Sequence, residues 1–372
     1  MATIPSPRTF ASLRSPLRLG GLLALLVVTA MMAACAQVGS PRGWMPPTPV
    51  DGILLLGLEA GKIAAVDPQG WQVRWRFPEK EKDIRPGAFY GAPAVGDELI
   101  YLGGYDGAVY ALELGGRLRW RFKTDGPVIG GLALDARSGL LLVPSDDGRL
   151  YALNAQDGTL LPGWPFRTGK GIWSRPALAD DTAYVGSLDG KVYALALPSG
   201  QERWHLDLGA GIVSDPVLAG HLLLVGGVDR RLHAIDVRDG RRAWQTPFRA
   251  DNWFWAQPLV IGDVVYAANL DGNLYAISLA DGSLRWRFPT QEPVRSRPLL
   301  AGDVLVVADR GGNIYGLDPT SGQARWGPQA LGGKVLADLL LWGGEVLALT
   351  QEGRLFVLDP ATGQARRVDI GP

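Results

Sequence analysis

Tryptophan returns at an almost constant interval along this chain, at Trp75, Trp120, Trp164, Trp204, Trp244, Trp286 and Trp326. Each follows a glycine, usually by four residues, as in Gly240 to Trp244, Gly282 to Trp286 and Gly322 to Trp326. Ahead of these pairs stand aromatic-Ala-aliphatic runs: Tyr110-Ala111-Leu112, Tyr151-Ala152-Leu153, Tyr193-Ala194-Leu195, His233-Ala234-Ile235 and Tyr275-Ala276-Ile277. Self-similarity at a period of roughly 40 residues is the signature of four-stranded blades set around an axis. The expected fold class is therefore all-β, a β-propeller of antiparallel blades.

The unit around 258–288 shows how one period folds. Short strands are expected at 258–260, 264–269, 273–278 and 283–288, with Asp271-Gly272 as the tight turn between the middle two. Asp-Gly between β-rich runs is the strongest short hairpin signal, because such turns need positive φ. The same turn stands at Asp106-Gly107, Asp147-Gly148 and Asp189-Gly190, with Gly311-Gly312, Glu352-Gly353, Asp229-Arg230 and Ala60-Gly61 as departures. Counting these turns gives eight blades over 49–370; a seven-bladed ring with an unusual tail is the alternative. The last unit carries Arg367 in the sequence place of tryptophan, as terminal repeats often depart from consensus. Recurrence at one repeat position assigns the seven tryptophans to inter-blade packing, each indole N–H finding a backbone carbonyl.

The first 34 residues carry a targeting signature. Arg8, Arg14 and Arg18 precede a short apolar run at 19–32, and Met32-Ala33-Ala34-Cys35 follows. That order predicts a lipoprotein signal peptide over 1–34, too short in its apolar run to span a bilayer, with Cys35 as the lipidated residue. Cys35 is the only cysteine, so no internal disulfide is available. The stretch 36–49, rich in Gly, Ser and Pro, places a tether over 35–48. Ala36 in place of aspartate favours the periplasmic face of an outer membrane in a two-membrane cell. In a one-membrane cell the anchor holds the extracytoplasmic face of the plasma membrane. Thirty-seven basic and 37 acidic residues balance, which gives no electrostatic footprint for nucleic acid. A monomer is expected.

The run Leu317-Asp318-Pro319-Thr320-Ser321-Gly322-Gln323-Ala324-Arg325-Trp326, with its Tyr-Ala-Leu-like lead-in, resembles the pyrroloquinoline-quinone (PQQ)-type repeat. The resemblance covers essentially all of the chain after the tether. It is shared by quinoprotein alcohol dehydrogenases and by non-enzymatic propellers. In layout the chain is most similar to the family of lipoprotein B of the outer-membrane β-barrel assembly machinery. That likeness implies a non-catalytic scaffold whose partner is an envelope protein, either an outer-membrane barrel insertase or an extended nascent segment, and it implies no cofactor. The rival class is a PQQ-dependent oxidoreductase with calcium, which needs a clamped quinone and several converging oxygen ligands. This chain offers no Cys-Cys pair, evenly spaced repeats and only three histidines, His205, His221 and His233, the last standing in for the repeat tyrosine. No catalytic residue and no metal ligand set is assigned. A cell-surface module binding carbohydrate or another ligand is a third reading.

Candidate binding residues lie where the repeat is broken. The loop entering each blade reads Tyr90-Gly91-Ala92-Pro93, Trp173-Ser174-Arg175-Pro176, Val213-Ser214-Asp215-Pro216, Trp255-Ala256-Gln257-Pro258 and Arg295-Ser296-Arg297-Pro298. Two loops lack the proline, Ile129-Gly130-Gly131 and Leu336-Ala337-Asp338. The constant small residue fits a close approach of backbones near the axis. Its variable neighbours predict a funnel mouth: Tyr90, Trp173, Trp255 and Arg295 in one ring, and Arg175, Asp215, Gln257, Arg297 and Asp338 in the next. Trp253-Phe254-Trp255 is its sharpest feature, suited to a peptide edge. The competing reading pairs Arg175 and Arg297 with Asp215 and Asp338 and uses the aromatics to cap the core.

Overall fold

A computed structural model describes residues 43–79 and 84–370. The signal expected over 1–34, Cys35 and Ala36 lie outside the described residues. Eight four-stranded antiparallel sheets form, each from four consecutive strands in sequence order. They span 48–77, 94–123, 133–167, 177–207, 217–249, 259–289, 299–330 and 340–368, here blades 1 to 8. First strands of neighbouring blades approach one another, as in blades 2 to 5 and blades 7 and 8, and so lie toward the axis. This is the eight-bladed propeller that the turns predicted. The seven-bladed alternative fails because 340–368 supplies a complete last sheet.

Local chemistry explains each blade. In blade 6 the strands are Leu259–Ile261, Val264–Ala268, Asn273–Ser278 and Leu284–Pro289. The middle strands are buried on both faces and the fourth alternates with solvent, as a sheet covered by neighbours on both sides requires. The turn carboxylate also anchors the strand that follows it. Tyr110, Tyr151 and Tyr193 donate to Asp106, Asp147 and Asp189 at 2.6 Å, and Tyr275 donates to Asp271 at 2.7 Å. His233 keeps the same bond, 3.0 Å from Asp229, while 2% exposed. Its turn is the one that places a non-glycine, Arg230, at left-handed φ of 67°.

All seven repeat tryptophans bridge to the next blade. Their indole N–H groups donate to carbonyls of Leu114, Ala155, Pro198, Val237, Leu279, Pro319 and Pro360 at 2.8 to 3.2 Å. The repeat glycine explains itself in the same contact. Gly322 has φ of 72°, and a Cβ there would lie 2.5 Å from Cδ2 of Trp286, the indole of the preceding blade. The glycine thus serves the previous repeat's tryptophan, not its own. Half-burying an indole of ~200 Å² contributes about 2–4 kcal/mol per interface, with the hydrogen bond adding ~1 kcal/mol.

A β-bulge aims these rings. In blades 1, 2, 4, 6 and 7 the register slips by one residue just before the tryptophan. The extra residue is Arg74, Arg119, Arg203, Arg285 or Arg325. A bulge turns the next side chain and raises local twist, sending the indole toward the neighbouring blade. The bulged arginine pairs with an acid at the surface, for instance Arg285 with Asp263 at 2.5 Å and Arg325 with Asp303 at 2.6 Å. In blades 3 and 5 the fourth strand is only Phe166–Arg167 and Phe248–Arg249, and a loop delivers Trp164 and Trp244 instead.

Blade 8 lacks both devices. Its last strands pair without a slip, with Val357 opposite Arg366 and Phe356 opposite Arg367, and Arg367 is exposed. On the other side of the seam, Trp71 holds the glycine position of blade 1 at φ of 57°. Among the described residues no strand is exchanged between the first and last blades. The ring closes by side-chain packing: Leu54, Leu56, Ala64 and Val66 against Leu347, Leu349, Leu355 and Val357, with Trp71 and Trp342 beside them.

The glycine–indole contact predicts coupled substitutions. Trp286→Ala should cost about 2–4 kcal/mol in urea unfolding, and Gly322→Ala at least ~1–2 kcal/mol from backbone strain and overlap. With the indole removed, Gly322→Ala should cost at least ~1 kcal/mol less than in the parent; strictly additive losses would show that the two do not compete for space. Arg230→Gly should stabilise by about 0.5–1 kcal/mol, since it relieves a left-handed side-chain clash.

Candidate binding mouth

Seven blade-entry loops converge on one opening, together with an eighth that the sequence reading assigned to the tether. Trp44-Met45-Pro46-Pro47 has the phase of Trp255-Ala256-Gln257-Pro258, and both show half-buried, buried, half-buried, buried in order. Met45 is fully buried and its amide donates to the Phe89 carbonyl at 3.2 Å, and Thr48–Val50 is the first strand of blade 1. The described part of the 35–48 tether is therefore built into the ring. The signal was present in the spacing, but a proline-rich composition masked it.

The constant small residue does what close approach demands. A Cβ on Gly91 would sit 2.4 Å from the Gly130 backbone of the next loop. Ser174 and Ser296 are buried and donate to the carbonyls of Gly186 and Ala308 at 3.0 Å, while Ser214 accepts from the Gly226 amide at 2.6 Å. Loop backbones are thereby fixed, and the residue before each small one is held toward the axis.

Those residues form a row of stacked groups across the mouth. Tyr105 meets Tyr90 at 5.6 Å, and Tyr90 meets Trp44 at 4.2 Å between ring centroids. The Arg295 guanidinium lies 3.9 Å from the Trp44 ring and 4.3 Å from that of Trp255. Trp255 continues to Trp173 at 6.1 Å, and Trp173 donates to Asp146 at 2.6 Å. Burial, with repulsion from Arg310 added, pushes the Arg295 guanidinium down to about 10, and Tyr90 opposes this. The opening encloses about 100 Å³.

The three-aromatic loop divides its members. Trp255 lines the mouth, Trp253 is 42% exposed outside it, and Phe254 is 1% exposed in the core between blades 5 and 6 against Phe248 and Tyr275. Phe254 is thus corrected from a binding residue to a packing one: alternation along extended backbone puts the middle ring on the opposite side.

In the next ring, Asp215, Gln257 and Asp338 line the opening, whereas Arg175 and Arg297 are exposed. The expected guanidinium–carboxylate pairing takes another form. Asp215 accepts the Arg175 amide and Asp338 the Arg297 amide, each at 2.7 Å, so the carboxylates staple blade 5 to blade 4 and blade 8 to blade 7 through the backbone. Burial raises the Asp215 carboxyl to about 6, with Asp338 adding to the rise and the amide and both arginines opposing it. Burial also raises Asp338. Among the described residues no group of three or more His, Cys, Asp or Glu side chains converges as a metal site. No described helix is long and apolar enough to cross a membrane.

Comparison with known proteins follows the ring rather than the mouth. A curated relative named outer membrane protein assembly factor BamB, from Nitrosomonas eutropha, is 27% identical over 161 residues, 41% of this chain and 36% of that protein. The serine/threonine-protein kinase AfsK of Streptomyces coelicolor is 31% identical over 176 residues, 37% of this chain and 20% of the kinase. The chain thus spans about a third of the first relative's length and a fifth of the second's. The crystal structure of BamB from Moraxella catarrhalis superposes with a TM-score of 0.71 at 18% identity, over 84% of this chain and 93% of that one, which establishes the shared fold. The family model described as outer membrane protein assembly factor BamB matches residues 59–164, 162–252 and 248–368. With that model covering nearly every blade, the chain belongs to the BamB family of outer membrane protein assembly factors.

Proposed function

We propose that the protein is a non-catalytic scaffold, anchored by lipid at Cys35 on the periplasmic face of an outer membrane, that serves outer-membrane protein assembly as a monomer. It holds its partner, an outer-membrane barrel insertase or an extended nascent segment, at the aromatic mouth. The observation that carries this reading is a row of half-exposed aromatic rings set on fixed loops in a chain of the BamB family. Such rings on a rigid frame bind at low entropic cost. Trp253 and Tyr105, 42% and 40% exposed, extend the apolar surface beyond the opening.

The absence of a quinone cofactor belongs to this proposal. An opening of about 100 Å³ falls below the roughly 300–1,000 Å³ of small-molecule sites. Its polar lining, Asp215, Asp338, Gln257 and Arg295, does not make the oxygen-rich ligand set that calcium needs. The residues present do not fit the cofactor. The likeness to AfsK, confined to a fifth of that kinase, supports a shared repeat and no shared chemistry.

Two measurements test the proposal. Purification of the lipidated protein from native outer membranes should recover a barrel insertase; recovery of no barrel machinery would sink the assembly role. Trp173→Ala with Trp255→Ala should weaken partner capture at least ~30-fold. Because both rings are half-exposed, the melting temperature should fall by only a few degrees. A collapse of stability would instead make them packing residues.

A further inference from the structure

Arg295 is a half-buried cation without an anion among the described residues. Its Nε is buried and has no hydrogen-bond partner among the described residues, and the charged or ionisable groups acting on it there are Arg310, which repels it, and Tyr90. The two carboxylates that share its opening are already held by the backbone amides of Arg175 and Arg297. Arginine in such surroundings is usually paired. Here two indoles flank it, their ring centroids 3.9 and 4.3 Å from its central carbon, and a planar guanidinium with no acceptor among the described residues suits a carboxylate. Arg310 is exposed on the neighbouring turn and adds a second positive charge.

From this arrangement, and resting on the scaffold reading above, we infer that Arg295 anchors an aspartate or glutamate side chain of an extended partner segment. The flanking rings define the rest of the segment. In a strand, residues i−2, i and i+2 share one face. A carboxylate seated on Arg295 therefore places its second neighbours over Trp44 with Tyr90 on one side and Trp255 with Trp173 on the other. The preferred pattern is apolar-x-acid-x-apolar. Arg-carboxylate hydrogen bonding in a partly dry mouth gives discrimination that stacking alone does not.

The test uses two blocked peptides, acetyl-Gly-Phe-Ser-Asp-Ser-Phe-Gly-amide and its Asn counterpart, titrated calorimetrically into the whole protein. The Asp peptide should bind at least about tenfold more tightly. Arg295→Gln should abolish that preference while retaining weak binding of both peptides. Arg310→Gln, on an exposed turn, should reduce it about two- to threefold and serves if Arg295→Gln fails to fold. Equal binding of the two peptides by the parent protein overturns the inference, as does an unchanged preference in Arg295→Gln. Competition by inorganic phosphate at the same concentrations as the Asp peptide also overturns it, since a general anion site needs no flanking rings. Copurification of a barrel insertase by a protein that does not discriminate the peptides leaves the scaffold role standing and removes only this anchor. Discrimination without copurification does the reverse.

Discussion

The contact between an indole and the next blade's glycine is what makes this chain a ring. One tryptophan seals an interface by burying its face on a residue with no side chain and donating its N–H to a carbonyl within a few residues of that glycine. The contact recurs at seven interfaces, so their geometry is set by one pair of residue types. In the five blades where a bulge lies one residue before the ring, strand register, bulge and packing form one device. A shift of any of these would move the indole off its glycine.

The eighth interface shows what happens where the device is absent. With no bulge and no tryptophan on the fourth strand of blade 8, and Trp71 standing where glycine would be, closure rests mainly on aliphatic packing between the first and last blades. Among the described residues neither terminal blade borrows a strand from the other. Aliphatic packing is less directional than an indole hydrogen bond, which suits a seam whose two sides have diverged from the repeat.

Much of this was legible in the sequence because repetition averages out local noise. The turns, the fourfold strand pattern of 258–288 and the blade count follow from glycine placement and period alone. The mouth was legible in phase but not in depth. Entry loops could be aligned on their prolines, yet nothing in Trp253-Phe254-Trp255 says which ring faces the core until the backbone's direction is known. Trp44 was hidden because prolines serve both linkers and strand entries, and only its phase against Pro47 distinguishes them. Likewise, Asp215 and Asp338 looked like partners for guanidinium groups, whereas the acceptor geometry favours the amides of the same two arginines.

A rigid frame and a variable mouth are complementary consequences of one constraint. The small residue at each entry loop is fixed by backbone approach, so variation is confined to the positions on either side of it. Most of those positions line the opening, and residues distant in sequence, such as Trp44 and Arg295, become stacking partners. The cost of holding Arg295 there without an acid partner among the described residues is borne by the ring: two indoles flank the guanidinium, and its entry loop is fixed by the buried Ser296 hydrogen bond to the Ala308 carbonyl. An arginine in a flexible loop would turn to water instead. A frame closed on itself keeps that guanidinium in place before a partner arrives, and this links the packing tryptophans to the aromatic mouth they surround.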